Sequence, residues 1–257
     1  MATKPLIKVL TEAGTGSRRR MTEAIKQGKV KVNNAVAESF NHPIDPQKDQ
    51  VFLNGQAIDL KPDKIICLAL NKPAGIVSTV SDNRGRRTVL DILPDKYRQQ
   101  RLYPVGRLDI DTTGLLLLTN DGDLTYRLTH PKFEYEKEYL AAIKGSLNTE
   151  EKRQLQRGIL LEDGMTYPAR IREIAAPPYN YSVIIHEGRK RQVRRMFERM
   201  RHTVMALKRI RIGGLHLGDL KEGEARPLSA KEIANLLNER PSKSENQLNK
   251  VVNKHRD

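Results

Sequence analysis

The sequence feature that most constrains the fold is an unbroken run of four leucines at residues 115–118. Gly114 precedes the run, and the turn-forming residues Asn120, Asp121 and Gly122 follow it. A short apolar run bounded by turn residues is typical of a buried strand. We therefore expect a buried strand here and a fold arranged around it.

Three charged residues, Arg107, Asp109 and Asp111, lie just before this run. Charged groups beside a buried strand are costly unless they are paired or exposed at its end, so the strand is expected to hold a carboxylate at its edge. Asp109 is then either a solvated turn acid or a positioned nucleophile or base. As a solvated acid it would pair with Arg107, and such an exposed ion pair contributes little to stability. The local pattern alone favours the solvated acid.

The charge balance favours a polyanionic partner. The chain of 257 residues carries 46 Lys and Arg against 31 Asp and Glu, a formal net charge of +15. A basic surface is the electrostatic footprint of a nucleic-acid binder. The single cysteine, Cys67, excludes an internal disulfide and is expected in the core. No apolar run approaches the ~18 residues of a membrane span, so we expect a soluble, cytoplasmic protein without membrane association.

Residues 1–60 are expected to form a separate small module of helices and short strands, joined by a linker near residues 60–64. Ser17 is placed to cap a helix that begins with Arg18 and Arg19, and Gly28 is placed to end it. Basic residues at a helix start oppose the helix dipole, so we interpret these arginines as phosphate ligands. The order of elements resembles the S-four-type RNA-binding domain.

Residues 65–240 combine many strand-like segments with scattered helices and without regular alternation, which predicts an α+β domain with a largely antiparallel sheet. Residues 241–257 are polar, lack a core face and are expected to form a flexible basic tail.

The residues GRLD at 106–109, followed by TGLLLLTNDG at 113–122, resemble the signature of the RsuA-type (RsuA/RluB-like) pseudouridine synthases, which isomerise uridine in ribosomal RNA. In that family the aspartate of GRLD is the catalytic nucleophile, and it falls on Asp109. The resemblance also implies a pseudouridine synthase core with a mixed sheet, and a reaction that needs no metal and no cofactor.

The same resemblance implies roles for further residues. Arg194 in QVRRM matches the basic residue that pairs with the catalytic aspartate, although a phosphate contact is the alternative. Tyr139 in EKEYL matches the tyrosine that stacks on the target base, with Tyr135 as the alternative. Lys72 in NKPAG belongs to the first shared motif. Arg107 matches the residue that fills the stack vacated by a flipped uridine.

The densest charge lies between residues 186 and 211, where ten Lys or Arg stand against two Glu. On a helix, Arg191, Arg194 and Arg195 occupy neighbouring positions. Such crowded cations, taken as unpaired, predict a polyanion as partner. We expect RNA binding by Arg107, Lys72, Arg18, Arg19, Arg191 and Arg195.

The expected function is site-specific isomerisation of uridine to pseudouridine in ribosomal RNA, with the large subunit favoured over the small. The uridine must be flipped into a pocket, at a cost of a few kcal/mol, before Asp109 can attack it. The expected enzyme is a monomer, and its substrate is either free ribosomal RNA or a ribosomal particle.

Two other classes of protein share part of the pattern. A non-catalytic RNA-binding ribosome-assembly factor explains the basic surface but not the GRLD segment. A hydrolase that uses Asp109 and Asp111, about 6.5–7 Å apart along a strand, has no use for the positive charge.

Overall fold

The computed structural model describes residues 3–238, and the chain divides into two compact units between Ile65 and Ile66. This boundary directly follows the linker expected at residues 60–64. The expected tail, residues 241–257, lies outside the described residues. None of the helices among residues 3–238 combines the length and the apolar character needed to cross a bilayer.

The first unit is a small α/β module. Its elements are β1 (Lys4–Pro5), α1 (Leu6–Glu12), α2 (Arg18–Lys26), β2 (Val30–Val32), β3 (Ala35–Val36), β4 (Pro43–Ile44), β5 (Val51–Leu53) and β6 (Gln56–Ile58). The antiparallel sheet has the order β3-β2-β5-β6, and β1 pairs separately with β4. As expected, Ser17 caps α2: its hydroxyl accepts a hydrogen bond from the Arg20 amide at 3.2 Å.

The second unit is built on a nine-stranded sheet. The strands of this unit are β7 (Cys67–Lys72), β8 (Tyr103–Pro104), β9 (Thr113–Thr119), β10 (Lys137–Ile143), β11 (Leu160–Leu161), β12 (Gly164–Met165), β13 (Arg170–Ala176), β14 (Tyr179–Ile185), β15 (Val204–Ile212), β16 (Leu215–His216) and β17 (Ala225–Pro227). Strands β11 and β12 pair with each other in a separate two-stranded sheet, and the other nine form the main sheet. The helices of this unit are α3 (Asp95–Arg98), α4 (Gly122–Thr129), α5 (Thr149–Arg157), α6 (Gln192–Arg199) and α7 (Ala230–Asn238), with a 3-10 turn at Pro131–Phe133.

The main path of the sheet runs β13-β14-β10-β15-β9-β7-β17, while β8 pairs with β9 and β16 with β15. All of these pairs are antiparallel except β15 with β9, which is parallel. The expected α+β architecture with a mixed, largely antiparallel sheet is thereby confirmed.

Strand β9 lies inside the sheet and is buried on both faces. All four leucines at residues 115–118 are 0% exposed. Leu116 and Leu118 belong to one core cluster, and Leu115 and Leu117 belong to another on the opposite face. A strand covered on both faces needs a continuous apolar run instead of an alternating one, which explains the sequence pattern.

Gly114 makes the parallel contact between β9 and β15 possible. Its φ is +100°, and a Cβ at this position would lie 2.2 Å from the carbonyl oxygen of Arg209. A side chain therefore meets both a backbone conformation that L residues rarely adopt and an immovable backbone atom.

We expect Gly114→Ala to lower the free energy of unfolding of the second unit by more than ~3 kcal/mol, because strain and steric overlap add. Gly223→Ala is the matched control, since its φ is +83° and an added Cβ meets nothing within 4 Å. The control should lower the free energy of unfolding by about 1–2 kcal/mol, because it introduces the backbone strain without the steric overlap. Urea denaturation of both variants measures the difference, and equal losses would contradict the role assigned to Gly114.

Candidate active site

A cavity of about 830 Å³ lies in the second unit, and loops before β9 and before α6 form part of its wall together with strands β10 and β15. Among the residues expected at the site, those that line the cavity are Arg107, Asp109, Tyr139 and Arg191. Arg18 and Arg19 are exposed in the first turn of α2, in the other unit.

Asp109 is half-buried at this cavity, in a turn that precedes β9. Its backbone carbonyl accepts a hydrogen bond from the Thr112 amide at 3.1 Å. Within residues 3–238 its carboxylate has neither a hydrogen bond nor an ion pair, so the oxygens are free for a substrate. The strand geometry assumed for a hydrolase with Asp109 and Asp111 is wrong, because β9 begins only at Thr113.

Lys72, at the end of β7, binds the backbone of the turn that carries Asp109. The side chain is 0% exposed, and its ammonium donates hydrogen bonds to the carbonyls of Pro73 at 2.7 Å and Ile110 at 3.4 Å. Burial lowers its pKa to about 8, against the opposing effect of the charges of Asp111 and Asp109. The expected RNA contact is wrong for Lys72, because a fully buried ammonium cannot reach a phosphate.

Arg194 supports the same turn from α6. Its guanidinium, which is buried, donates to the carbonyls of Val204 at 2.8 Å and Asp111 at 3.2 Å. It also lies 3.2 Å from the Asp111 carboxylate, and Arg191 lies 3.3 Å from the other oxygen of that carboxylate. The expected pairing of Arg194 with Asp109 is therefore wrong: the partner is Asp111, two residues further along the turn.

Four of the six cations before and within α6 form ion pairs with carboxylates, so the expectation of unpaired cations is wrong for Arg189, Arg191, Arg194 and Arg195. Arg195 forms two hydrogen bonds with Asp163, at 3.0 and 2.9 Å, and does not line the main cavity. Arg189 pairs with Glu187 at 2.9 Å. The sequence conceals these pairs because the acids lie outside the basic run or at its edge.

Glu187 organises the loop that presents Arg191. Its buried carboxylate accepts hydrogen bonds from the Tyr167 amide at 2.9 Å, the Gln192 side chain at 2.6 Å and Arg189 at 2.9 Å. Sequence analysis missed this role; the signal available was an acid placed directly before a basic run.

Tyr139 and Arg209 lie opposite each other on β10 and β15 and both line the cavity. The buried Arg209 donates from Nε to the Leu115 carbonyl at 2.7 Å and from Nη1 to the Tyr139 hydroxyl at 3.4 Å. Tyr135, the alternative to Tyr139, packs in the cluster on the other face, and its hydroxyl donates to Leu237. Arg209 was not singled out from the sequence, where it appears as one more residue of a basic strand.

The other buried group of note is Cys67, which lies in the core as expected. Burial raises the pKa of its thiol to about 12, which keeps it protonated.

Comparisons with known proteins identify the class to which this fold and cavity belong. The RNA pseudouridylate synthase family matches residues 66–199, and the S4 domain matches residues 4–51. The chain therefore belongs to the RNA pseudouridylate synthase family and carries an S4 domain. It is an enzyme that isomerises uridine to pseudouridine in RNA, and the expected family and enzyme class are confirmed.

Particular relatives span nearly the whole chain. The ribosomal large subunit pseudouridine synthase B of Bacillus subtilis (strain 168) is 43% identical over 90% of this chain and 94% of that protein. A protein of the same name from Vibrio vulnificus (strain CMCP6) is 41% identical over 82% of this chain and 67% of that protein. A crystal structure of a pseudouridylate synthase superposes with a TM-score of 0.65 at 35% identity, covering 91% of this chain and 99% of that one.

The pKa of Lys72 predicts a rise in stability with pH. Between pH 8 and 10.5 the unfolded chain holds a proton on this lysine that the folded chain has released, so stability increases with pH across that window. We expect the free energy of unfolding of Lys72→Met to rise about 1–2 kcal/mol less than that of the wild type between these limits. Urea denaturation at several pH values measures the slopes, and parallel slopes would contradict the depressed pKa.

We expect Asp111→Asn to slow turnover about 10- to 100-fold, because the turn that carries Asp109 loses its ion pairs with Arg191 and Arg194. Asp95→Asn is the matched control, since it breaks the ion pair of Asp95 with Arg98 and neither residue lines the cavity. Single-turnover assays on saturating enzyme measure the rate, and equal rates for the two variants would show that Asp111 does not position the turn.

Proposed function

We propose that this enzyme acts on ribosomal RNA, in the large subunit, with Asp109 as its catalytic nucleophile. The observation that carries the proposal is the half-buried carboxylate of Asp109, which lines the cavity and has no partner among the described residues. Support for the RNA target comes from the relatives named as large-subunit synthases, which align along most of this chain.

In this proposal, two buried cations hold the backbone of the turn that carries Asp109. The carboxylate of Asp109 itself forms no ion pair with them. Lys72 binds the Ile110 carbonyl, and Arg194 binds both the carbonyl and the carboxylate of Asp111. A nucleophile held in this way keeps its orientation without having its charge neutralised. Arg194 is thus proposed as a positioning residue.

The cavity accommodates a flipped nucleotide in this proposal. Tyr139 stacks on the target base, and the exposed Arg107 at the cavity fills the space that the base leaves in the RNA stack. Arg18 and Arg19, at the N-terminus of α2, and Arg191 contact phosphates, where positive charge and helix amides both attract anions. Arg195, within α6, is paired with Asp163 and is assigned no phosphate contact in this proposal.

We further propose that the enzyme acts as a cytoplasmic monomer on free ribosomal RNA or on ribosomal particles. A non-catalytic assembly factor would bind the same RNA through the same basic residues, so binding alone does not distinguish the two.

The test uses RNA and ribosomal particles from cells that lack this gene, incubated with wild-type protein or with Asp109→Asn. We expect one new pseudouridine in large-subunit RNA with wild type, and a rate lower by at least about a thousandfold with the variant. Carbodiimide-blocked primer extension on both subunit RNAs maps the product.

Salt-dependent RNA binding, measured in parallel, is the control that both proteins are folded. A product in small-subunit RNA would overturn the large-subunit assignment. Unchanged turnover by Asp109→Asn would overturn the nucleophile.

A further inference from the structure

Two cations that the proposed roles leave unused line the cavity beside Tyr139. Arg209 is 3% exposed, and its Cζ lies 5.9 Å from the centre of the Tyr139 ring. Lys137, two residues before Tyr139 on β10, is half-buried and donates to the Tyr135 carbonyl at 2.9 Å. Partial burial, and then the charge of Arg209, lower the pKa of Lys137 to about 8.

The hydrogen bonding of Arg209 is incomplete. Its Nε is satisfied by Leu115 and its Nη1 makes a long bond of 3.4 Å to the Tyr139 hydroxyl, but its buried Nη2 has no partner. Among residues 3–238 no carboxylate forms an ion pair with Arg209. A buried guanidinium without a carboxylate is costly, because its charge is desolvated and uncompensated.

Arg211, two residues further along β15, shows what a structural arginine looks like in this sheet. It is also buried, but it pairs with Glu136 and with Glu138, each at 3.0 Å. Glu138 on the neighbouring strand β10 and Glu136 just before β10 therefore pair with Arg211, whereas no carboxylate among residues 3–238 pairs with Arg209. The difference marks the cavity side of the strand as a place where negative charge is accepted from a ligand.

We propose that Arg209 is a catalytic residue that donates a hydrogen bond to the uracil ring and stabilises the negative charge that the ring carries during isomerisation, with Lys137 as a second positive charge nearby. This inference rests on the proposed placement of the target base against Tyr139. In this mechanism Asp109 acts on the sugar, and Arg209 acts on the base that leaves it.

The chemistry requires such a group. When the Asp109 carboxylate bonds to C1′ and the C1′–N1 bond breaks, the electron pair of that bond stays on the base, and the negative charge spreads over N1 and the two carbonyl oxygens. When C5 then bonds to C1′, the bond between C1′ and Asp109 breaks and its electron pair returns to the carboxylate. The C5 hydrogen then leaves as a proton, and N1 gains one. A buried cation near a carbonyl oxygen lowers the energy of the intermediate anion more than that of neutral uridine.

The base is a better ligand for Arg209 than a phosphate is. The phosphates of a flipped nucleotide remain part of the RNA backbone, and exposed cations at the cavity, Arg84, Arg107 and Lys190, are accessible to them. Arg209 is buried beside the tyrosine on which the base is placed, so the ring is the part of the nucleotide that reaches it.

The test compares wild type, Arg209→Gln and Arg209→Lys on two RNAs, one with uridine and one with 5-fluorouridine at the target position. Single-turnover consumption of the target nucleoside and RNA affinity are measured separately. Fluorine withdraws electrons and stabilises the uracil anion without help from the protein. Lys208→Gln, a charge loss at the next position of β15, is the matched control.

We expect Arg209→Gln to consume uridine about 100- to 1,000-fold more slowly than wild type, as for loss of one oxyanion donor, with RNA affinity within about threefold. On 5-fluorouridine the loss should be at least about tenfold smaller. Arg209→Lys, which keeps the charge, should recover part of the uridine rate.

Equal losses on the two RNAs would overturn the inference, since they would assign Arg209 to positioning Asp109 or to packing. A uridine rate within about threefold of wild type would overturn it as well. Failure of the proposed function is distinguishable, because wild type would then leave both RNAs unchanged.

Discussion

The structure depends on the way in which two buried cations hold the backbone of the turn at residues 109–112. Lys72 and Arg194 approach this turn from β7 and α6, and both donate hydrogen bonds to its carbonyl oxygens. Their desolvation is costly, and the cost is offset only while the carbonyls and Asp111 stay in place. The same interactions therefore connect the sheet and the basic helix to the turn that carries Asp109, the proposed nucleophile.

Pairing divides the arginines of the second unit by role. Arg189, Arg195 and Arg211 are matched with carboxylates and stabilise loops or the sheet. Among the described residues Arg209 forms no ion pair with a carboxylate and Asp109 forms none with a cation, although both line one cavity. Active sites commonly retain unsatisfied groups of this kind, because the substrate supplies the missing partners.

Much of the fold was predictable from local patterns. The leucine run predicted β9, Ser17 predicted the start of α2, and the irregular order of strands and helices predicted an antiparallel α+β sheet. The GRLD segment placed Asp109 and Arg107 at the cavity. The contacts of individual side chains were less predictable. Lys72 was expected to contact RNA, and Arg194 was expected to form an ion pair with Asp109. Both errors arose because burial and partner depend on segments far apart in the chain.

The family, the two-part organisation, the buried strand and the position of the proposed nucleophile could all be predicted from the sequence, because they depend on local apolar patterns and on a contiguous motif. The tertiary structure decided which charges are paired. In the folded chain Arg194 pairs with Asp111 rather than with Asp109. Arg211 pairs with a carboxylate, whereas Arg209 binds a backbone carbonyl. Charge pairing acts through space over a few ångströms, and only the folded sheet sets those distances.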